Sequence, residues 1–231
     1  KIIALPCDVS DQTAVTQFIL TAIAELGSIH GLVNNAGVHG PKGPSENVDW
    51  NEWKRAIEIN LFGVMLSARA LIPHFKAQGR GKIINLSGGG ATQPFPFISA
   101  YAASKAAIVR LTETLAEELR SYHVDVNAVA PGALNTRLLD DVLNAGPAIV
   151  GEQHYQKALK QRDTGGTSPA LGEALSVYLA SEESDGLTGK LLSAQWDPWR
   201  DFAAKKEMLA HSDIYTLRRI VPEDRVNKPS S

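Results

Sequence analysis

The sequence is poor in cysteine, with Cys7 alone among 231 residues. A lone thiol excludes an intrachain disulfide and any cysteine-built metal cluster, and it fits a reducing cytoplasm. Cys7 itself reads as a small buried hydrophobe at a strand end. Surplus charge is nearly absent as well, the formal net charge being −2. There is thus no basic footprint for nucleic acid and nothing to draw the chain to an anionic membrane. No secretory pattern opens the sequence, and no apolar run reads as long enough to span a bilayer. His39, His74, His123, His154 and His211 are scattered without metal-ligand spacing. They read as surface or core histidines, and no metal is expected. Internal repeats and low-complexity linkers are missing too. What remains is a chain with 44% apolar residues, long enough to bury one large core.

Strand and helix patterns alternate along it. Residues 2–7 (Ile-Ile-Ala-Leu-Pro-Cys) read as a buried strand. An amphipathic helix follows over 11–26, with Ala14, Phe18, Ile19, Ala22 and Ile23 on one stripe and Gly27 closing it. Further strands are expected at 30–34, 82–87, 124–130 and 189–193. Helices are expected at 50–78, broken near Asn60, and at 99–122 and 168–181, with less regular helical stretches over 133–166. Alternation of this kind implies an α/β fold, a doubly wound parallel sheet whose ligands bind beyond the C-terminal strand ends. The unusual residues fall there: Asp8, then Asn34 to Gly37, then Ser87 to Gly90, then Pro131-Gly132. Residues 1–199 read as one Rossmann-like domain, and 200–231 as a tail with a short helix and frayed polar residues at its end.

The sharpest chemical signal is Ser99-Ala100-Tyr101-Ala102-Ala103-Ser104-Lys105. Tyr101 and Lys105, four apart on a helix, share a face. A phenol is a poor acid–base group near neutrality, and a nearby ammonium lowers its pKa. By itself the pair is weak evidence, since such residues are usually core edge and surface. It occurs, however, with Asn34-Asn35-Ala36-Gly37 after a strand, Asn60 within a helix, and Pro131-Gly132 followed by Thr136. In this order and near this spacing, the motifs of residues 1 to about 193 resemble the short-chain dehydrogenase/reductase family.

The resemblance implies an oxidoreductase moving hydride between NAD or NADP and a small carbonyl or alcohol substrate. Tyr101 would be the general acid/base. Lys105 would lower the Tyr101 pKa and bind the nicotinamide ribose, and Asn60 would hold a water linking Lys105 to solvent. Asp8 and Val9 would contact adenine, while Asn34, Ala36 and Gly37 would line the adenosine and ribose side. Pro131, Gly132, Leu134 and Thr136 would lie beside the nicotinamide. Each has a plainer reading: Asn34 as a strand-end cap, Asn60 as a helix kink, Pro131-Gly132 as a turn. Family members also imply a homodimer or homotetramer through the helices at 50–78 and 99–122.

Three departures stand out. The family's catalytic serine, thirteen residues before the tyrosine, falls on Gly88. Either Ser87 reaches the substrate oxygen after a one-residue shift, with Ser99 a weaker substitute, or Tyr101 works without a serine. Second, no glycine-rich turn follows residues 2–7. By resemblance that segment is the third strand, so the first two strand–helix units are expected to be missing, leaving a gap in the sheet and an N-terminally truncated chain. The residue that separates NAD from NADP would belong to that region. Third, the last strand runs into Trp196-Asp197-Pro198-Trp199, where the tryptophans either stack on substrate or pack the tail. Pro94 to Phe97 supply an apolar pocket wall, and Leu138, Leu139 and Val142 a lid. Two rivals to the enzyme follow, a catalytically impaired dinucleotide-binding sensor or interaction protein, and a nonfunctional fragment.

Overall fold

A computed structural model describes residues 1–225. Four parallel strands form its sheet in the order β1-β2-β3-β4: β1 (Gly31–Asn34), β2 (Gly81–Leu86), β3 (Val124–Ala130) and β4 (Leu191–Ser193). Because side chains alternate across each strand, β2 and β3 divide their apolar residues between two cores. Ile83, Val124 and Val126 face a cluster that takes Val15 and Ile19 from α1 (Gln12–Leu26), Leu71 and Phe75 from α3 (Gly63–Gln78), and Leu115 from α4 (Ser99–Leu119). Ile84, Val129 and Leu192 face a second cluster that holds Leu175 and Leu179 of α8 (Pro169–Ala180). Helices thus cover both faces of the sheet, as the doubly wound reading requires.

The helix caps follow local chemistry. Asp11 accepts from the Ala14 amide at the start of α1, and Asp49 accepts from the Glu52 amide at the start of α2 (Trp50–Ile57). Gly27, at φ 80°, ends α1 with its amide bonded to the Ile23 carbonyl. At the N-terminal end of the sheet, Lys82 and Asp125 are register partners on neighbouring strands and form a buried ion pair at 2.7 Å. Asp125 also accepts from the Gly186 amide at 3.0 Å, tying down the turn that leads into β4.

Residues 2–7 form no strand. The segment is extended and Ile2 is 97% exposed, while Cys7 packs at the margin of the first cluster. The run has strand composition, but a strand exists only through a ladder to a neighbour, and among the described residues nothing pairs with it. Burial, then the nearby Asp8 charge, pushes the Cys7 thiol up. The helical stretch Trp50–Gln78 departs from expectation in another way, being long and apolar enough to cross a membrane by length and composition. In the fold, Val64, Ala68, Leu71 and Phe75 are buried core residues of this stretch. It widens into a π turn at Glu58–Phe62, around Asn60.

The start of the tail is structured. Trp199, Phe202 and Leu209 are buried in the second cluster, on a 3₁₀ turn over Trp199–Lys205 and a short helix, α9 (Lys206–Ala210). The expected frayed end at 226–231 lies outside the described residues. Of the two tryptophans, Trp199 packs, with its Nε1 donating to the Ala194 carbonyl at 3.2 Å, while Trp196 is 78% exposed.

Candidate active site

The C-terminal ends of β1, β2 and β3 open toward the first turns of α4, where Tyr101 and Lys105 lie one turn apart and both are buried. The Lys105 Nζ lies 5.5 Å from the Tyr101 ring centre and donates to the Leu86 carbonyl at 2.7 Å. Burial pushes the ammonium down to about 8 and the phenol up to about 12. The lowering of the Tyr101 pKa expected from Lys105 is therefore outweighed: burial disfavours the phenolate, and Lys105 spends its hydrogen bond on a backbone carbonyl.

Asn60 is fully buried and joins the β1 loop to α4. Its Oδ1 accepts from the Val38 amide at 2.8 Å, while its Nδ2 donates to the Val38 carbonyl at 2.8 Å and to the Ser104 hydroxyl at 3.0 Å. Gly37 sits between these groups. A Cβ there would lie 3.3 Å from Asn60 Oδ1 and 3.7 Å from Lys105 Nζ. The structure thus brings Tyr101, Lys105, Asn60 and Gly37 together.

Position 88 lies in the same constellation. A Cβ on Gly88 would sit 2.7 Å from the Tyr101 hydroxyl, so this backbone faces the phenol without a side chain. Ser87 does not fill the place. It is buried, and its hydroxyl donates to the Lys105 carbonyl at 3.4 Å, on the helix flank. Ser99 is likewise occupied, accepting from Trp53 Nε1 at 3.1 Å.

The remaining expected residues are spread along the same edge. Asn34 donates to the Asn85 side chain at 2.9 Å, and Asn85 donates to Thr112 of α4 at 2.9 Å, so Asn34 braces the strand ends. Ala36 is exposed beside it. Asp8 is tied to α2: it accepts from the Ser10 hydroxyl and from Arg55, each at 2.7 Å, and these bonds, Ser10 first, hold its carboxyl at about 2. Val9 packs where a Cβ on Gly63 would come within 3.0 Å. Pro131 and Leu134 are half-buried, and Gly132 and Thr136 exposed, on the loop from β3 into α5 (Arg137–Ala145). Gly132 needs its glycine: φ is 100°, and Thr167 fills the Cβ position at 2.7 Å.

A nicotinamide riboside fits this donor set. The Lys105 ammonium lies beside the bare Gly37 backbone that Asn60 braces, and the Pro131–Thr136 loop flanks the same strand ends. A glycine-rich turn to receive a pyrophosphate is not found among the described residues.

Tyr101 is packed into an apolar cluster with Ile98, Leu139 and Val142 of α5, Val150 of α6 (Pro147–Val150) and Ala158 of α7 (Glu152–Thr164), and Phe95 and Tyr155 lie against it. Leu139 and Val142, expected in a lid, are members of this cluster. His39 and His154 were not expected here. The His39 ring meets Tyr101 edge-on at 4.8 Å, and His154 lies against Phe95 at the same distance. Burial pushes both imidazoles down, His39 to about 4 with help from the Lys42 charge and against Asp141. The position of His39, two residues past Asn-Asn-Ala-Gly, was the available signal. For His154 nothing in the sequence pointed to the site.

Comparison with known proteins gives a consistent result. A sequence profile described as short chain dehydrogenase matches residues 1–145. The chain is 32% identical to 4-formylbenzenesulfonate dehydrogenase of Comamonas testosteroni, covering 83% of this chain and 75% of that protein. It is 41% identical to 3beta-hydroxysteroid dehydrogenase 1 of Eggerthella lenta, covering 82% and 70%. Among solved structures, an NAD+-bound xylitol dehydrogenase superposes with a TM-score of 0.73 at 27% identity, covering 81% of this chain and 75% of that one.

Proposed function

The chain belongs to the short-chain dehydrogenase/reductase family, and from that premise we propose that it is an NAD(P)-dependent oxidoreductase in which Tyr101 exchanges a proton with the oxygen of a ring-sized alcohol or ketone. The observation that carries this reading is the convergence of Tyr101, Lys105 and Asn60 on Gly37 at the sheet's C-terminal edge. When bound, the nicotinamide dinucleotide supplies or accepts the hydride.

The chain's own residues do the rest. Burial keeps the Tyr101 phenol protonated, which readies its Oη to donate to a carbonyl oxygen as that oxygen gains charge. Lys105 holds a positive charge beside the ring and offers its ammonium to a ribose next to Gly37, on the turn that Asn60 braces. Asp8 and Val9 are assigned to the adenine side, Asn34 and Ala36 to the adenosine side, and Pro131, Gly132, Leu134 and Thr136 to the carboxamide. The apolar cluster about Tyr101 keeps water from the phenol and favours a ring-bearing substrate, as the hydroxysteroid-named relative suggests. Ser87, facing the helix, has no part in the proton step. A reducing, cytoplasmic setting suits the single cysteine. A homodimer or homotetramer through α2–α3 and α4 suits Phe62 and Met65, both exposed on the helical stretch.

The bare backbone at Gly88 favours a second reading, a dinucleotide binder without turnover. Tyr101→Phe separates the two. As an enzyme, the variant loses roughly a hundred- to ten-thousand-fold in turnover while tryptophan fluorescence reports unchanged cofactor binding. Cofactor binding in the wild type without turnover of any ring alcohol or ketone would support the binder instead.

A further inference from the structure

Among the described residues, two buried side-chain polar atoms lack a hydrogen-bond partner, and both are imidazole nitrogens beside the Tyr101 cluster: Nδ1 of His39 and Nδ1 of His154. Buried polar atoms in folded proteins are nearly always paired, so an orphan calls for a physical cause. Here the orphans come from two separate elements that meet at the Tyr101 cluster. His39 belongs to the loop after β1 and lies against the Tyr101 ring, while His154 belongs to α7 and lies against Phe95. Phe95 in turn stands 6.2 Å from Tyr101. The cluster around Tyr101 is otherwise aliphatic and aromatic, and Lys42 and Asp141, whose charges act on His39, make no hydrogen bond to its Nδ1.

We propose that His39 and His154 together grip a second oxygen of the substrate, a hydroxyl or carbonyl remote from the one that reacts at Tyr101. This inference rests on the oxidoreductase reading and names its substrate class: uncharged cyclic diols, hydroxyketones or diketones. The chemistry fits the pair. Burial holds both rings below the ordinary histidine range, so each is a neutral imidazole with one donor and one acceptor. Two such rings match a hydroxyl, which also donates and accepts. They carry no charge to balance a carboxylate or sulfonate, whose burial would then be costly. Selectivity of this kind arises because a partner that lacks the oxygen leaves the site's polar atoms unpaired.

The test uses the full chain with ring-nitrogen-labelled histidine and the reduced cofactor, so that no hydride moves to an added alcohol. Cyclohexane-1,4-diol is added in one sample and cyclohexanol in another at equal concentration. The expected result is a shift of the Nδ1 resonances of His39 and His154 with the diol alone. In turnover, the diol is preferred over cyclohexanol in kcat/KM. His154→Phe, half-buried and of similar shape, lowers that preference about threefold to tenfold, the worth of one hydrogen bond, chiefly through KM. His39→Phe is the second variant, with its thermal unfolding recorded to confirm that it folds. Unmoved Nδ1 resonances, or equal shifts with both alcohols, overturn the grip. The failures are separable: if cyclohexanone is still reduced, only the grip is wrong, and if it is not, the oxidoreductase reading fails with it.

Discussion

Lys105 carries a charge that its surroundings oppose. Its pKa falls from the usual lysine value of 10.5 to about 8 because the ammonium is buried. In the unfolded chain the group stays protonated up to its ordinary pKa, so between the two values the unfolded state binds more protons and stability rises with pH. The penalty is complete below pH 8 and fades as the pH approaches 10.5. Tyr101 acts in the opposite sense at higher pH: its pKa is raised to about 12, so its contribution falls above the ordinary value of 10. Urea unfolding at pH 7 and 9.5 isolates the lysine. The wild type should gain about 2 kcal/mol over Lys105→Met across that interval; parallel stabilities would mean that the ammonium is better solvated than its burial indicates. The sequence made this pair legible because its spacing is local, four residues on one helix. His39 and His154 were not legible as a pair, because their approach through Tyr101 and Phe95 joins a loop and a helix far apart in sequence. Gly88 was legible as a missing serine, but only the backbone direction shows that Ser87 points elsewhere.

The π turn at Glu58–Phe62 is the element that sets the site's floor. It places a buried carboxamide where the Val38 amide and carbonyl need partners, and the same carboxamide takes the Ser104 hydroxyl of α4. Such bulges often occur at functional sites. Asn60→Ala would leave both Val38 groups without their partners inside the fold. Since each stranded group costs roughly 1–3 kcal/mol, the variant should lose about 2–4 kcal/mol in urea unfolding and weaken cofactor binding. A loss inside the ordinary surface range, about 0.5 kcal/mol, would mean that water replaces the carboxamide and the brace is dispensable. Elements with their own periodicity were readable: α1, α4 and β3 lie within a few residues of expectation. Residues 2–7 were misread because strand composition is local while a ladder is not, and the break at Asn60 was readable only as a break.

At the scale of the whole molecule, the second core is closed by the end of the chain. Phe202 is 1% exposed and packs with Leu175, Leu179 and Leu192, and the Tyr215 carbonyl accepts from the Leu191 amide of β4 at 2.8 Å. The segment that composition marked as a tail is therefore structural: Phe202 and Leu209 close the core on the α8 face of the sheet, and further along the Leu217 amide donates to Glu113 of α4. The two tryptophans just before it, Trp196 and Trp199, separate the reading of the sequence from the fold, since neither type nor spacing told which one is buried. Phe202→Ala removes a ring from a closed core and should cost about 3–5 kcal/mol. Trp196→Ala removes a larger ring that is 78% exposed, and its effect should stay within about 0.5 kcal/mol. Urea unfolding of the two variants side by side decides the matter. If Trp196→Ala proves as costly as Phe202→Ala, that ring has a partner in the assembled protein. If Phe202→Ala is nearly neutral, the segment is a loose tail, and β4 is held by β3 and α8 without it.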